Sequence, residues 1–268
     1  MNKILGLVFC LFGITIYAQE ARPEIHCKHF VYGYPYGTPA SNDLIIRELY
    51  ALSNNDATKF ADWVAYRLDT EVLVGDIKTE RNWEKDPWLD ESETLEPYPD
   101  DYRDAHRALH TDRGHFAPLG SFKGSPLAAQ TNYLSNISPQ YSDLNQGAWH
   151  NLELKIRSLV KRGNIVYVMT GPLYDREMPK LPNADEDHRV PSGYWKIVTC
   201  LKDGDIHTLA FIFEQETPRD YDFKNALKTI DEVEKRSGLD FFWLLDNNRE
   251  KQLENSVDEA FLNKLLQR

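Results

Sequence analysis

This 268-residue sequence predicts a single domain of mixed α/β (α+β) class, a central, mainly antiparallel sheet flanked by helices. Three observations carry that expectation. Two β-rich runs, 194–201 and 207–213, bracket Lys202-Asp203-Gly204-Asp205, the signal of a tight hairpin. An amphipathic run from 143 to 162 switches the apolar period to that of a helix. Hydrophobic residues make up 41% of the chain and aromatic residues 12%, which lets a chain of this length bury a substantial core.

The elements follow in order. Residues 1–18 read as a secretory signal: Lys3 gives a positive start, Ile4 to Ile16 is an apolar run too short to span a bilayer comfortably, and Ala18 offers a cleavage point. The mature chain is then 19–268, one domain with a core at about 50–245 and a polar helical tail at 247–268. The loop YGYPYGTP (32–39) leads into IIRELYALSN (45–54), a strand-like segment and turn. Its rings could stack on bases, although packing on the protein body is the commoner use of such a loop. ADWVAYRL (61–68) suits a central strand and 73–77 is another short apolar piece. YRDAHRAL (102–109) reads as a short helix. After the helix of 143–162 come a strand at 164–170, the hairpin, and a helix at 223–237 closed by Gly238 in the C′ position.

The polar chemistry concentrates in 111–153. An extended Asp112-Arg113-Gly114-His115 turns Arg113 and His115 to one face and Asp112 to the other, with Gly114 allowing close backbone approach. Asn145, Trp149, Glu153 and Arg157 recur every four residues, so one side of the helix gathers an amide ligand, a packing anchor and a carboxylate. A neutral imidazole can deprotonate water near neutral pH, an arginine fork holds phosphate oxygens at two points, and a lone amide oxygen suits Mg²⁺ that keeps most of its other positions for water and phosphate. Each residue alone has a bland reading: Asn145 as a cap, Glu153 as the i+4 partner of Arg157, His115 as a surface histidine. The constellation points to phosphodiester hydrolysis.

The words DRGH (112–115), TNYLSNISPQ (131–140) and LNQGAW (144–149), in this order and spacing, closely resemble the DNA/RNA non-specific endonucleases of the ββα-metal type. TKFADWVAYRL (58–68), RNWEKDP (81–87), VYVMTGPLY (166–174), FIFEQETP (211–218) and DEVEKRSGLDFF (231–242) extend the resemblance over roughly 50–245. It implies a ββα-metal motif within the fold and cleavage of DNA and RNA, leaving 5′-phosphates, with little sequence preference. His115 matches the family's general base and Asn145 its metal ligand. Glu153 matches the carboxylate that hydrogen-bonds the metal's waters. Arg81, Arg113 and Arg157 match arginines for substrate phosphate and transition-state charge, and Asn136 matches an asparagine of the active-site neighbourhood. Mg²⁺ is the implied cofactor, with Mn²⁺ left open.

The net charge of −11 falls to −12 once Lys3 is removed, which argues against a general polyanion-coating protein. Acidic residues collect in 86–101, in 183–188 and near the C-terminus, so an acidic body with a small basic cleft is expected, binding substrate weakly and with salt sensitivity. Asp185-Glu186-Asp187-His188 reads as a solvated loop, since consecutive loop residues do not converge on one ion without further turns. Cys27 and Cys200 most simply form one disulfide in an exported protein; the alternative is a transition-metal site on His26-Cys27-Lys28-His29. DNA and RNA are the expected partners, the mature form has no membrane segment, and a homodimer and an inhibitor protein stay open. Location is secreted or periplasmic. Two rival readings remain: a nuclease toxin with a cognate inhibitor, and a non-catalytic exported module binding nucleic acid or sugar.

Overall fold

The computed structural model describes residues 22–267, so the proposed signal at 1–18 lies outside the described residues. The first elements are β1 (Asp43–Ile46), β2 (Ala51–Asn55), β3 (Phe60–Leu68) and the short helix α1 (Thr70–Leu73). Next come α2 (Ala105–Leu109), β4 (Thr111–His115), β5 (Ile137–Tyr141), the turn α3 (Ser142–Leu144) and the long helix α4 (His150–Lys161). The chain continues through β6 (Val166–Leu173), β7 (Gly193–Lys202), β8 (Asp205–Glu214) and β9 (Leu227–Lys228) to α5 (Ile230–Ser237), α6 (Asn247–Glu254) and α7 (Glu259–Leu266). Among the described residues, seven strands form one antiparallel sheet in the order β1-β2-β3-β6-β7-β8-β9, and β4 pairs only with β5.

The sheet divides two apolar layers. On β7, Tyr194, Val198 and Cys200 face a layer that includes Trp149, Leu152 and Ile156, while Trp195 and Ile197 face one that includes Val233 and Phe241. The period-2 alternation of a strand does the sorting, and helices on both sides leave the first eight residues of β7 buried. The β7–β8 hairpin closes on Lys202↔Asp205, with Asp203 at φ 53° and Gly204 at φ 88°. Two consecutive left-handed residues match the twist of the flanking strands, which is why Asp-Gly stands there.

Several elements depart from the sequence reading. Residues 45–54 are two strands, β1 and β2, joined where the Arg47 amide donates to the Tyr50 carbonyl. The apolar piece at 73–77 is preceded by α1, started by the Asp69 side chain capping the Val72 amide. The helix expected at 223–237 begins only at Ile230, because Thr229 and Glu232 form a capping box and Leu227 and Lys228 pair with the edge of β8. Its end at Gly238, φ 74°, is where the sequence put it. The run 143–162 is interrupted by a π-turn over Asn145–Trp149, with Gly147 at φ −103°, ψ −112°. A Cβ on Gly147 would lie 2.4 Å from the Arg219 carbonyl oxygen, so only glycine lets the two segments approach. The tail is helical as expected but not polar throughout: α7 buries Phe261 and Leu265 in the layer of α4.

The aromatic loop packs on the body, with Tyr34 edge-on to Trp243 at 5.6 Å and Phe30 edge-on to Trp63 at 5.8 Å. Cys27 and Cys200 are both free thiols, with Cys200 1% exposed inside the sheet layer. His29 is committed elsewhere: one ring nitrogen bonds the Arg47 carbonyl and the other accepts from the Arg67 amide, so His26-Cys27-Lys28-His29 does not gather around an ion.

Two outcomes follow. Trp195→Ala removes a fully buried ring packed against Phe241 and should cost about 3–5 kcal/mol, read as a lower urea midpoint. Thiol titration should find one reactive cysteine in the native chain and a second after unfolding; a disulfide would give none.

Candidate active site

Strand β4 carries the first half of the site. Its register with β5 sets Arg113 opposite Pro139, Gly114 opposite Ser138 and His115 opposite Ile137. A Cβ on Gly114 would come within 2.6 Å of the Gln140 side chain, so the close approach expected of this glycine is real. The π-turn and α4 bring up the second half. Arg81, Arg113, His115, Asn145, Glu153 and Arg157 all line one cleft of about 600 Å³. An adjoining cleft shares Arg81 and Arg157 and adds Lys123 and Lys161, extending a basic surface out of an otherwise acidic protein.

His115 is held by Asn132. Its Nε2 lies 3.1 Å from Asn132 Oδ1, and Asn132 Nδ2 donates to the Glu80 carbonyl at 3.1 Å. A carbonyl can only accept, which fixes the Asn132 amide with its oxygen toward the imidazole. The histidine therefore donates from Nε2, leaving Nδ1 as the basic nitrogen. Burial lowers the His115 pKa to about 4 against the Asn132 hydrogen bond, which favours the charged form, and the Arg81 cation pushes it the same way as burial. The imidazole is neutral at physiological pH. Trp83 packs beside it, ring centroids 5.4 Å apart.

Asp112, expected on the opposite face, also reaches the cleft wall. Its carboxylate accepts from Ser142 Oγ at 2.7 Å, Asn145 Nδ2 at 2.9 Å and Gln146 Nε2 at 2.8 Å, with His106 Nδ1 at 3.2 Å. Burial opposes its charge, yet these hydrogen bonds together hold the Asp112 carboxyl below its usual range. Because a carboxylate takes only the NH₂ side of an amide, Asn145 Oδ1 is turned away from Asp112, and it has no hydrogen-bond partner among the described residues. A single free amide oxygen on the wall of an open cleft fits a hard divalent cation that keeps most of its positions for water and phosphate.

The remaining predicted residues divide. Glu153 and Arg157 sit together in the cleft, 3.5 Å apart. Trp149, expected on the same side, is instead core, edge-on to Tyr194 and Phe213, because the π-turn shifts the helical phase between Asn145 and α4. Beneath it the buried Lys196 ammonium lies 4.0 Å over the Trp149 ring. Arg113 is ion-paired with Asp100 and flanked by the rings of Trp83 and Tyr102 at 5.5 and 5.1 Å, so phosphate would have to share or displace that carboxylate. Asn136 is not on the cleft wall. Fully buried, it donates to the Ala117 and Thr131 carbonyls and accepts from the Ala117 amide, leaving no free group for substrate. It braces the end of β4 from behind. The sequence offered no role for Asp112, which an extended strand turns to the opposite face, for Asn132 within TNYLSN, or for His106 in the helix before DRGH.

Comparison with known proteins places this architecture. The model of the DNA/RNA non-specific endonuclease family matches residues 30–248. The chain is 46% identical over 241 residues to a nuclease of Serratia marcescens, covering 89% of this chain and 88% of that one. It is 31% identical over 224 residues to mitochondrial endonuclease G of Homo sapiens, covering 77% and 71%. Among solved structures, one from an EndoG/EndoGI complex, described as revealing the mechanism of EndoG inhibition, superposes with a TM-score of 0.61 at 25% identity, over 80% of this chain and 90% of that one. The chain belongs to the DNA/RNA non-specific endonuclease family, whose members are metal-dependent nucleases.

Proposed function

We propose that the chain is an exported, Mg²⁺-dependent endonuclease in which His115 is the general base and Asn145 the cation ligand. The observation that carries this reading is the pair of locked side chains: Asn132 leaves His115 Nδ1 as the acceptor, and Asp112 leaves Asn145 Oδ1 free, on the wall of one cleft. Nδ1 takes a proton from water as its oxygen attacks phosphorus. The bond from phosphorus to the 3′-oxygen breaks with its electron pair going to that oxygen, which takes a proton from solvent water and leaves as a 3′-hydroxyl, and a 5′-phosphate remains on the other fragment. Arg81, Arg113 and Arg157 hold the phosphate oxygens; Arg113 exchanges its Asp100 contact for them. Asn145 would hold the cation through its amide oxygen, and Glu153 would accept from the water around it. When bound, the ion neutralises charge developing on the leaving oxygen. Mn²⁺ fits the same hard, oxygen-lined position. Asn136 acts through the backbone at Ala117, as a positioning residue.

Contacts mainly to phosphate carry no direct sequence information, which supports low sequence preference on both DNA and RNA. Residues 19–268 act as one domain, supported by a seven-stranded sheet that takes its strands from both ends of the described chain, β1 and β9 included. Export with cleavage near Ala18 rests on the apolar run after Lys3; no described helix is long and apolar enough to cross a membrane. An inhibitor protein is a proposed partner, since a solved neighbour is a complex described by its inhibition. A homodimer rests on the resemblance alone. The binding-module reading loses its support with the packing of the 32–37 rings on Trp243 and Trp63.

With purified 19–268, plasmid DNA and structured RNA should both be cut with Mg²⁺ and spared with chelator. His115→Ala and Asn145→Ala should each lower kcat by roughly 10²- to 10⁴-fold with an unchanged circular dichroism spectrum. Cutting that survives chelator, or survives in both variants, would remove the assignment. The pH profile gives an independent check. His115 must be neutral to act, so kcat/KM should be flat above its folded pKa and fall as pH drops through about 4. An acid limb centred near 6.5 would mean that the imidazole titrates as an exposed one.

A further inference from the structure

Two acidic stretches that the function does not use, 86–101 and 183–188, meet at one point. Asp101 from the first and Asp185 and Glu186 from the second bring carboxylate oxygens within 4.8 Å of one another. None of the three lines the cleft. Asp101 is 0% exposed: one oxygen accepts the Glu96 amide at 2.6 Å, while Oδ1 is buried with no partner. Glu186 Oε2 is likewise buried and unpartnered. Two loops thus bring together the buried Asp101, the half-buried Glu186 and the exposed Asp185.

The protein supplies no counter-charge to them among the described residues. Lys85 is engaged by Glu91 and Glu96, Lys180 by Asp187, and Arg103 donates to Asn183 Oδ1. His188 is spent on the turn itself, donating from Nδ1 to the Glu186 carbonyl and accepting the Leu181 amide at Nε2. An uncompensated buried carboxylate is expensive, and two ways exist to relieve it: a shared proton or a cation. One oxygen oriented by a backbone amide with its mate left open is how a carboxylate is prepared to ligate.

We propose that Asp101, Asp185 and Glu186 hold a structural divalent cation of the Ca²⁺ class, separate from the catalytic cleft, which clamps the loop before α2 to the loop before β7. Flexible loops offering several hard oxygens suit Ca²⁺ better than Mg²⁺, which demands a tighter octahedron. Asp100, adjacent to the clamp, is the residue paired with Arg113, so the cation braces the wall that presents this arginine to phosphate.

The test uses protein carrying Asn145→Ala, which removes the proposed cleft ligand, stripped with EDTA and titrated with CaCl₂. One ion per chain should bind by calorimetry. At a hundredfold excess over Kd the Tm should rise by roughly 5–10 °C, and proteolysis within 95–101 and 181–188 should slow. Adding Glu186→Gln should leave Tm in EDTA unchanged or higher, because a repelled carboxylate is gone, and should abolish the Ca²⁺ shift. Either no Ca²⁺-dependent shift in the Asn145→Ala protein or the same shift after Glu186→Gln overturns the proposal, the first outcome leaving a shared proton as the way the cluster is neutralised.

Discussion

Asp112 accepts hydrogen bonds from Ser142, Asn145 and Gln146, and through them one carboxylate ties the strand bearing His115 to the helical segment bearing Asn145. Among the described residues β4 pairs only with β5, outside the main sheet, and these hydrogen bonds join it to the segment that leads into α4. The same contacts orient an amide that could otherwise flip. Charge-assisted hydrogen bonds to a partly buried carboxylate are among the stronger neutral-to-ion contacts available, at about 1.5–3 kcal/mol each. Position and polarity of the site therefore hang on one side chain.

The platform beneath is apolar and stiff. Trp149 plugs α4 into the sheet between Tyr194 and Phe213, and the π-turn before it lets Asn145 face the cleft while Trp149 faces the core. Gly147 makes that turn possible by accepting the Arg219 backbone at close range. Lys196, packed on Trp149, has its ammonium pKa lowered to about 8 by burial, opposed by the Glu153 charge.

Charge is distributed to the same end. The excess of acidic residues lies on loops away from the cleft, where Asp101, Asp185 and Glu186 cluster, while Arg81, Arg113, Arg157, Lys123 and Lys161 border the two joined clefts. A net charge of −11 is compatible with a polyanionic substrate because the field near a groove is set by its own walls, and distant charges are screened within about 10 Å at moderate salt.

By itself the sequence determined the class of fold, the β7–β8 hairpin through Asp203-Gly204, the end of α5 at Gly238, and the family with the residues now lining the cleft. These are local signals: period, turn chemistry and contiguous motifs. What only the tertiary structure decided involves partners remote in the chain. Asn132 meeting His115 and Glu80, Asp112 meeting Asn145, Asn136 turning inward rather than toward substrate, and Asp101 meeting Glu186 are all set by loop paths. The phase slip at Asn145–Trp149 was hidden too, since an unbroken i+4 series reads as one regular helix until a neighbouring backbone, here that of Arg219, presses a glycine out of helical geometry.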